Sequence, residues 1–140
     1  MAKTDAIVDA GPLVAYFNRR DEHHRWTTKR MARLAVPLRT CEAVLSEAFH
    51  LLEDVGQGTG GLLEFLDRGA VVVSFSYPDR AAGVHELMRT YADQPMSFAD
   101  ACLVCMAEEQ ASSQIVTTDD DFHVYRTAGD EPLDVVFPGY

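Results

Sequence analysis

Four acidic positions stand where acids are seldom found without a partner. Asp9 closes the apolar run Ala6-Ile7-Val8, and Asp119 follows Ile115-Val116-Thr117-Thr118. Glu47 and Asp100 sit among apolar neighbours, in Val44-Leu45-Ser46-Glu47-Ala48-Phe49 and Phe98-Ala99-Asp100-Ala101-Cys102-Leu103. Carboxylates are rarely buried unless they pair with cations or bind metal. Cations are scarce here, and Lys3 and Lys29 are the only lysines. If the acids converge, like-charge repulsion raises some of their pKa values or calls for a divalent cation between them. Oxygen ligands with no His or Cys among them select Mg2+ or Mn2+ over zinc. Such a metal acidifies a bound water and offsets charge on a leaving oxygen. The residues alone therefore point to metal-dependent hydrolysis of a phosphodiester or phosphate ester. A phosphotransfer receiver or an aspartyl phosphatase also sets an acid after a first strand, but both need a late lysine, which this chain lacks.

The elements that must position these acids read as alternating strands and helices. Ala6-Ile7-Val8 is a buried strand, and Gly11-Pro12 leads into a helix opened by proline near its first position. A second helix is expected over residues 22–35, ended by Pro37. Leu38-Arg39-Thr40 is a weak strand, followed by a helix through Val44, Ala48, Leu51 and Leu52. The stretch from Gly56 to Gly61 reads as a helix–helix connection before Leu62, Leu63, Phe65 and Leu66. Residues 70–75 form the clearest strand, continuously apolar as in a parallel strand covered on both faces. Pro78-Asp79 starts a helix reaching Tyr91, and Ser97 is the expected N-cap of one running to Ala107. Strands over 114–118 and 133–137 flank a short acidic helix or turn beginning at Asp119. This alternation predicts an α/β fold, a three-layer α/β/α sandwich around a mostly parallel sheet. In open parallel sheets ligands bind beyond the carboxyl ends of strands, the place of Asp9 and Asp119.

With 22 Asp+Glu against 12 Lys+Arg among 140 residues, the net charge of -10 excludes a basic nucleic-acid-coating protein. Half of the cations, Arg19, Arg20, Arg25, Arg30, Arg33 and Arg39, fall in one short stretch, either a strip that meets phosphates or a solvated helix face. No run is long enough for a membrane span or a signal-peptide core, so a soluble cytoplasmic protein is expected. Cys41, Cys102 and Cys105 read as buried reduced thiols, the last two lying inside an apolar helix rather than at a redox helix start. His23 and His24 lack zinc spacing and read as surface residues. Arg126 is open to two readings, a phosphate contact or a balance for neighbouring acids.

Four segments together carry a resemblance: Ile7-Val8-Asp9-Ala10-Gly11-Pro12-Leu13-Val14-Ala15, Thr40-Cys41-Glu42-Ala43-Val44-Leu45-Ser46-Glu47, Met96-Ser97-Phe98-Ala99-Asp100-Ala101, and Ile115-Val116-Thr117-Thr118-Asp119-Asp120-Asp121-Phe122. In order and spacing the chain resembles PIN-domain ribonucleases of the kind that serve as toxins in VapBC toxin–antitoxin modules. The resemblance implies one PIN-like domain over residues 1–140, with Asp9, Glu47, Asp100 and Asp119 as catalytic acids. It implies Mg2+ or Mn2+ held by Asp9, Asp100 and Asp119, with Asp121 contributing and Asp120 facing outward. It implies hydrolysis of RNA, a homodimer, and a small antitoxin protein as inhibitor. Many relatives carry Ser or Thr within two residues of the first aspartate, where this chain has Ala10 and Gly11; Thr117 and Thr118 keep hydroxyls beside Asp119, and Thr118 is expected to support that corner. The competing expectation is a catalytically weak or inactive module that binds RNA or a protein partner.

Overall fold

The computed structural model describes residues 3–110 and 112–139. Five short strands build one sheet: β1 (Ala6–Val8), β2 (Leu38–Thr40), β3 (Val71–Val73), β4 (Gln114–Val116) and β5 (Val135–Val136). Their order is β3-β2-β1-β4-β5, and every pairing is parallel. The sheet is thus wholly rather than mostly parallel. Ala6, Ile7 and Val8 are fully buried, as the central strand of a sheet covered on both faces requires.

Six helices connect the strands: α1 (Ala10–Phe17), α2 (His24–Met31), α3 (Glu42–Leu51), α4 (Gly58–Asp67), α5 (Tyr77–Thr90) and α6 (Phe98–Glu109). α1 packs on α2, α3 and α4, whereas α5 packs on α6. Because the chain moves from β1 to β3 in one direction and from β3 to β4 in the other, the right-handed rule for crossovers assigns the first group to one face of the sheet and the second pair to the other, the expected three layers. α6 is buried along Ala99–Met106. A helix apolar all round belongs in a core, and Asp100 is the one charged residue in that stretch.

β1 leads toward β2, but β4 leads toward β5 on its opposite side, so the strand order reverses between the two neighbours. Their register sets Val8 beside Val116, so the chain leaves both strands at the same level. The Asp9 amide continues the ladder by donating to the Val116 carbonyl at 3.0 Å. In open parallel sheets ligands bind at such a reversal, and both acid-bearing loops leave their strands there.

Three local expectations are corrected. The second helix stops at Met31, because Leu34 forms a parallel bridge with Thr4 and the Ala35 amide donates to the Thr4 carbonyl at 2.8 Å. The glycines from Gly58 to Gly61 lie inside α4 rather than in a connection. A Cβ on Gly61 would come within 2.6 Å of the Phe17 ring, so glycine there lets α4 close on α1. The strands are also shorter than expected, since Thr117 and Thr118 have left β4 and Phe75 lies beyond β3.

Candidate active site

Asp9 is the N-cap of α1, in extended conformation, and only 7% exposed. Its Oδ1 accepts from the Ala10 amide and its Oδ2 from the Thr117 hydroxyl, each at 2.8 Å. The Thr117 oxygen in turn accepts from the Asp119 amide at 2.9 Å, and Asp119 Oδ1 accepts from the Asp121 amide at 2.9 Å. A hydrogen-bonded chain thus runs from the end of β1 to the turn after β4. Asp119 caps that turn, the 3-10 segment Asp120–His123, so the turn presents Asp119 and Asp121 in a fixed relation.

Asp9 titrates far from an ordinary aspartate. Burial pushes its pKa up to about 6, against the hydrogen bonds from Thr117 and Ala10, and the charges of Asp100 and Glu47 add to the rise.

Asp100 is the N3 residue of α6 and also 7% exposed. It forms a capping box with Ser97: the Ser97 hydroxyl accepts from the Asp100 amide at 3.0 Å, and Asp100 Oδ2 accepts from the Ser97 amide at 3.1 Å. The same Oδ2 accepts from the Tyr125 hydroxyl at 3.2 Å. Burial raises the Asp100 pKa, opposed by Ser97 and Tyr125 and reinforced by the Asp119 charge. Tyr125 is raised as well, first by burial and then by the Asp100 carboxylate it touches. At Asp121 the rise comes from partial desolvation and from the neighbouring charges of Asp119, Asp100 and Asp120. Glu47 is exposed on α3, beside the buried Val44 and Ala48.

Among the described residues none of these five carboxylates forms an ion pair with Lys, Arg or His. Nor do any three His, Cys, Asp or Glu side chains close a cage around one point. The donor set nonetheless suits Mg2+, which keeps several waters and is ordinarily held by one or two carboxylates. Asp9 and Asp100 fit that description, both buried, uncompensated and formed of hard oxygens. Asp9 and Asp119 are linked through Thr117, Asp100 lies within electrostatic reach of both, and Asp121 follows on the same turn as Asp119, while Glu47 stands outside the buried group and reaches Asp9 through its charge.

The family model described as PIN domain matches residues 6–128. The chain belongs to the PIN-domain family. No curated protein matches it. PIN domains are generally nucleases, so a nuclease-type function and a nucleic-acid substrate follow for this one.

The remaining candidates of this PIN domain separate clearly. Thr117, not Thr118, is the hydroxyl at the Asp119 corner, accepting from the Asp119 amide and donating to Asp9. Thr118 lies against Gly11 instead, its Oγ1 standing 2.1 Å from where a Cβ would be. The hydroxyl missing from position 11 is thus replaced in space by one from the other loop. Arg39 leaves the basic strip, because its guanidinium donates to the Ser113 hydroxyl. Arg126 donates to the Asp130 carbonyl at 3.1 Å and lies 4.0 Å from the Asp130 carboxylate. Asp120 is exposed and bonds His123 at 2.8 Å. His24 Nδ1 meets the Ala15 carbonyl at 2.7 Å, tying α2 to α1. All three cysteines are buried free thiols. Burial lifts Cys105 to about 11. Tyr125 went unrecognised in the sequence; its position three residues after buried Phe122 was the available signal.

Proposed function

We propose that this PIN domain, one domain over residues 1–140, is a metal-dependent endoribonuclease and the toxin of a toxin–antitoxin pair. The observation that carries the catalytic part is the pair of buried carboxylates, Asp9 and Asp100, which have no ion-pair partner among the described residues. A buried charge left alone is costly, and a bound divalent ion removes that cost. Asp9, Asp100 and Asp119 would hold Mg2+ or Mn2+, with Asp121 beside them. When bound, the ion supplies an acidified water and neutralises charge on the phosphate.

The protein's own groups do the rest. Thr117 and the Ala10 amide hold both Asp9 oxygens in place, so the carboxylate keeps its orientation with or without a ligand. Ser97 and Tyr125 do the same for Asp100. Glu47, exposed and within electrostatic reach of Asp9, would take the proton from an attacking water and pass it to solvent. The toxin role, a small antitoxin protein, a homodimer and a cytoplasmic setting rest on the likeness of the four sequence segments to toxin PIN domains, and the buried free thiols agree with a reducing compartment.

The test combines thermal unfolding in EDTA, Mg2+ and Mn2+ with RNA cleavage, on wild type and Asp100→Asn. The expected result is a metal-dependent rise in Tm and metal-dependent cleavage, with Asp100→Asn folded, its Tm rise removed and its cleavage down at least about 100-fold. Metal indifference in wild type, with no cleavage of any RNA, would refute the nuclease and leave an inactive module that binds RNA or a partner.

A further inference from the structure

The positive charge of this acidic chain is gathered in one segment. Residues 19–33 hold six of its twelve cations, Arg19, Arg20, Arg25, Lys29, Arg30 and Arg33, against two acids, so the remainder of the chain carries -14. Asp21 is bound to the His23 amide at 2.8 Å, and Glu22 stands 3.5 Å from the His23 ring. Arg30 lies over the Trp26 ring at 5.9 Å. Arg19, Arg20, Arg25, Lys29 and Arg33 are exposed, and their side chains form no hydrogen bond or ion pair among the described residues. Arg25 and Lys29 stand one turn apart on α2, and Arg33 follows in the turn that continues it, with Thr27 fully buried on the opposite face. Steps of four residues set these three charges in a row about 6 Å apart. Like charges at that spacing on a helix repel one another, so the row weakens α2 unless something outside the fold uses it. Elsewhere the cations are engaged or single: Arg39, Arg80 and Arg126 donate to other groups, Arg68 pairs with Glu64, and Arg89 stands by itself on α5.

The row ends at the edge of the sheet opposite the acids. Leu34 bridges Thr4, and the Thr4 amide donates to the Arg33 carbonyl at 3.4 Å. Lys3, exposed beside Thr4, adds a cation at this end. Asp9 lies five residues farther along the same extended chain, about 17 Å away. At the head of the row His24 ties α2 to Ala15, and a groove lined by Arg19, His24, Thr28 and Gln57 opens beside it.

The chemistry of this face selects its occupant. Protein partners are held chiefly by large anchors in a desolvated centre, whereas the exposed residues between the cations here are Thr28 and Ala32. An elongated polyanion meets every charge in the row. A nucleic-acid substrate is such a polyanion, and the carboxylates of the candidate site repel it, so attraction has to come from a surface away from them.

We propose that the row Arg25, Lys29 and Arg33, with Arg19 and Arg20 at its head, holds the phosphate backbone of the RNA several nucleotides away from the bond to be cut. This rests on the nuclease reading above and adds a length requirement. At about 3.4 Å per nucleotide a strand needs about five nucleotides to reach from Asp9 to Arg33, so shorter RNA cannot engage the acids and the whole row together.

The experiment uses the full chain and fluorescein-labelled RNAs of mixed sequence, about 20 and about 4 nucleotides long, in Ca2+. Their Kd is read by anisotropy over a salt series for wild type, for the triple variant Arg25→Gln, Lys29→Gln, Arg33→Gln, and for Arg89→Gln as a control of equal charge type. On the long strand the triple variant should bind about 100-fold more weakly at about 0.1 M salt, with the slope of log Kd against log salt smaller by about 2. On the short strand its loss should be much smaller, and Arg89→Gln should match wild type on both. The three single variants, each expected to lower the slope by about 0.7, repeat the test one charge at a time. Thermal unfolding confirms that the variants fold. An unchanged slope in the triple variant, an equal loss on both lengths, or no binding of either strand by wild type overturns the proposal. So does a change from dimer to monomer in the triple variant with its RNA affinity intact, which would make the row a seat for the acidic surface of a second copy. Metal-dependent cleavage is followed on the same proteins. A smaller slope in the triple variant with no cleavage by wild type overturns the nuclease and keeps the row as an RNA-binding surface. Cleavage with the same KM for the long strand in wild type and triple variant keeps the nuclease and removes the row.

Discussion

Removing the charge of Asp9 should stabilise this protein when no metal is present. In the unfolded chain Asp9 titrates near 3.8 and in the fold near 6, raised by burial. Below 3.8 both states hold the proton and the residue has no effect on stability. Between 3.8 and about 6 the unfolded chain releases a proton that the folded protein keeps, so stability falls as pH rises. Above 6 the full penalty is in place, about 3 kcal/mol for a difference of that size. In Asp9→Asn the amide oxygen still accepts from Ala10, and its NH2 faces Thr117, where the match is poorer by about 1 kcal/mol. The variant should therefore be about 2 kcal/mol more stable than wild type at pH 7.5 in EDTA, a Tm about 6 °C higher. Near pH 4 the difference should vanish or reverse. Added Mg2+ should raise the wild-type Tm increasingly as pH climbs through 6 and leave Asp9→Asn unmoved. Urea or thermal unfolding from pH 4 to 8 measures all of this. A variant that is less stable than wild type at pH 7.5 in EDTA would refute the reasoning, since Asp9 would then be compensated by something other than a metal.

Thr117→Val removes both the donor to Asp9 and the acceptor of the Asp119 amide. It should cost about 1–3 kcal/mol in denaturant unfolding and move the onset of Mg2+ stabilisation to higher pH, because the hydroxyl lowers the Asp9 pKa. Gly11→Ser places a Cβ against the Thr118 hydroxyl and should destabilise by about 1–3 kcal/mol, with Thr118→Ala restoring most of the loss in the double variant. Tyr125→Phe leaves the buried ring in place but withdraws a donor from Asp100; a loss of about 1 kcal/mol and a weaker Mg2+ effect on Tm are expected.

The parts that were legible in the sequence share a physical basis. Ala6-Ile7-Val8 and Val71–Val73 announce themselves because a strand buried on both faces must be apolar without interruption. Ser97 three residues before Asp100 is a capping pattern that needs no tertiary information. The alternation of such elements gave the parallel sheet, and the place of Asp9 and Asp119 beyond strand ends made them candidates. What stayed hidden depends on distant partners. The early end of α2 is set by Thr4, a residue far upstream that pairs with Leu34. Glycines from Gly58 to Gly61 look like a break, yet Gly61 serves the approach of Phe17. Between Thr117 and Thr118 the sequence offers no preference; the backbone leaving β4 turns the first toward Asp9 and the second onto Gly11. Tyr125 is one apolar residue among several until its hydroxyl is seen beside Asp100.

The bond between Thr117 and Asp9 joins residues 108 positions apart. During synthesis Asp9 therefore emerges 108 residues before its partner. The loop that brings them together closes late, after β1 has found β4 across everything between them. A ribosome-bound chain ending before β4 therefore carries the helices, two of the acids on α3 and α6, and an Asp9 with only its neighbouring amide to hold it. The linked acids therefore cannot assemble before β4 and Thr117 have been made, so a growing chain that stops short of them lacks the arrangement that the folded domain presents.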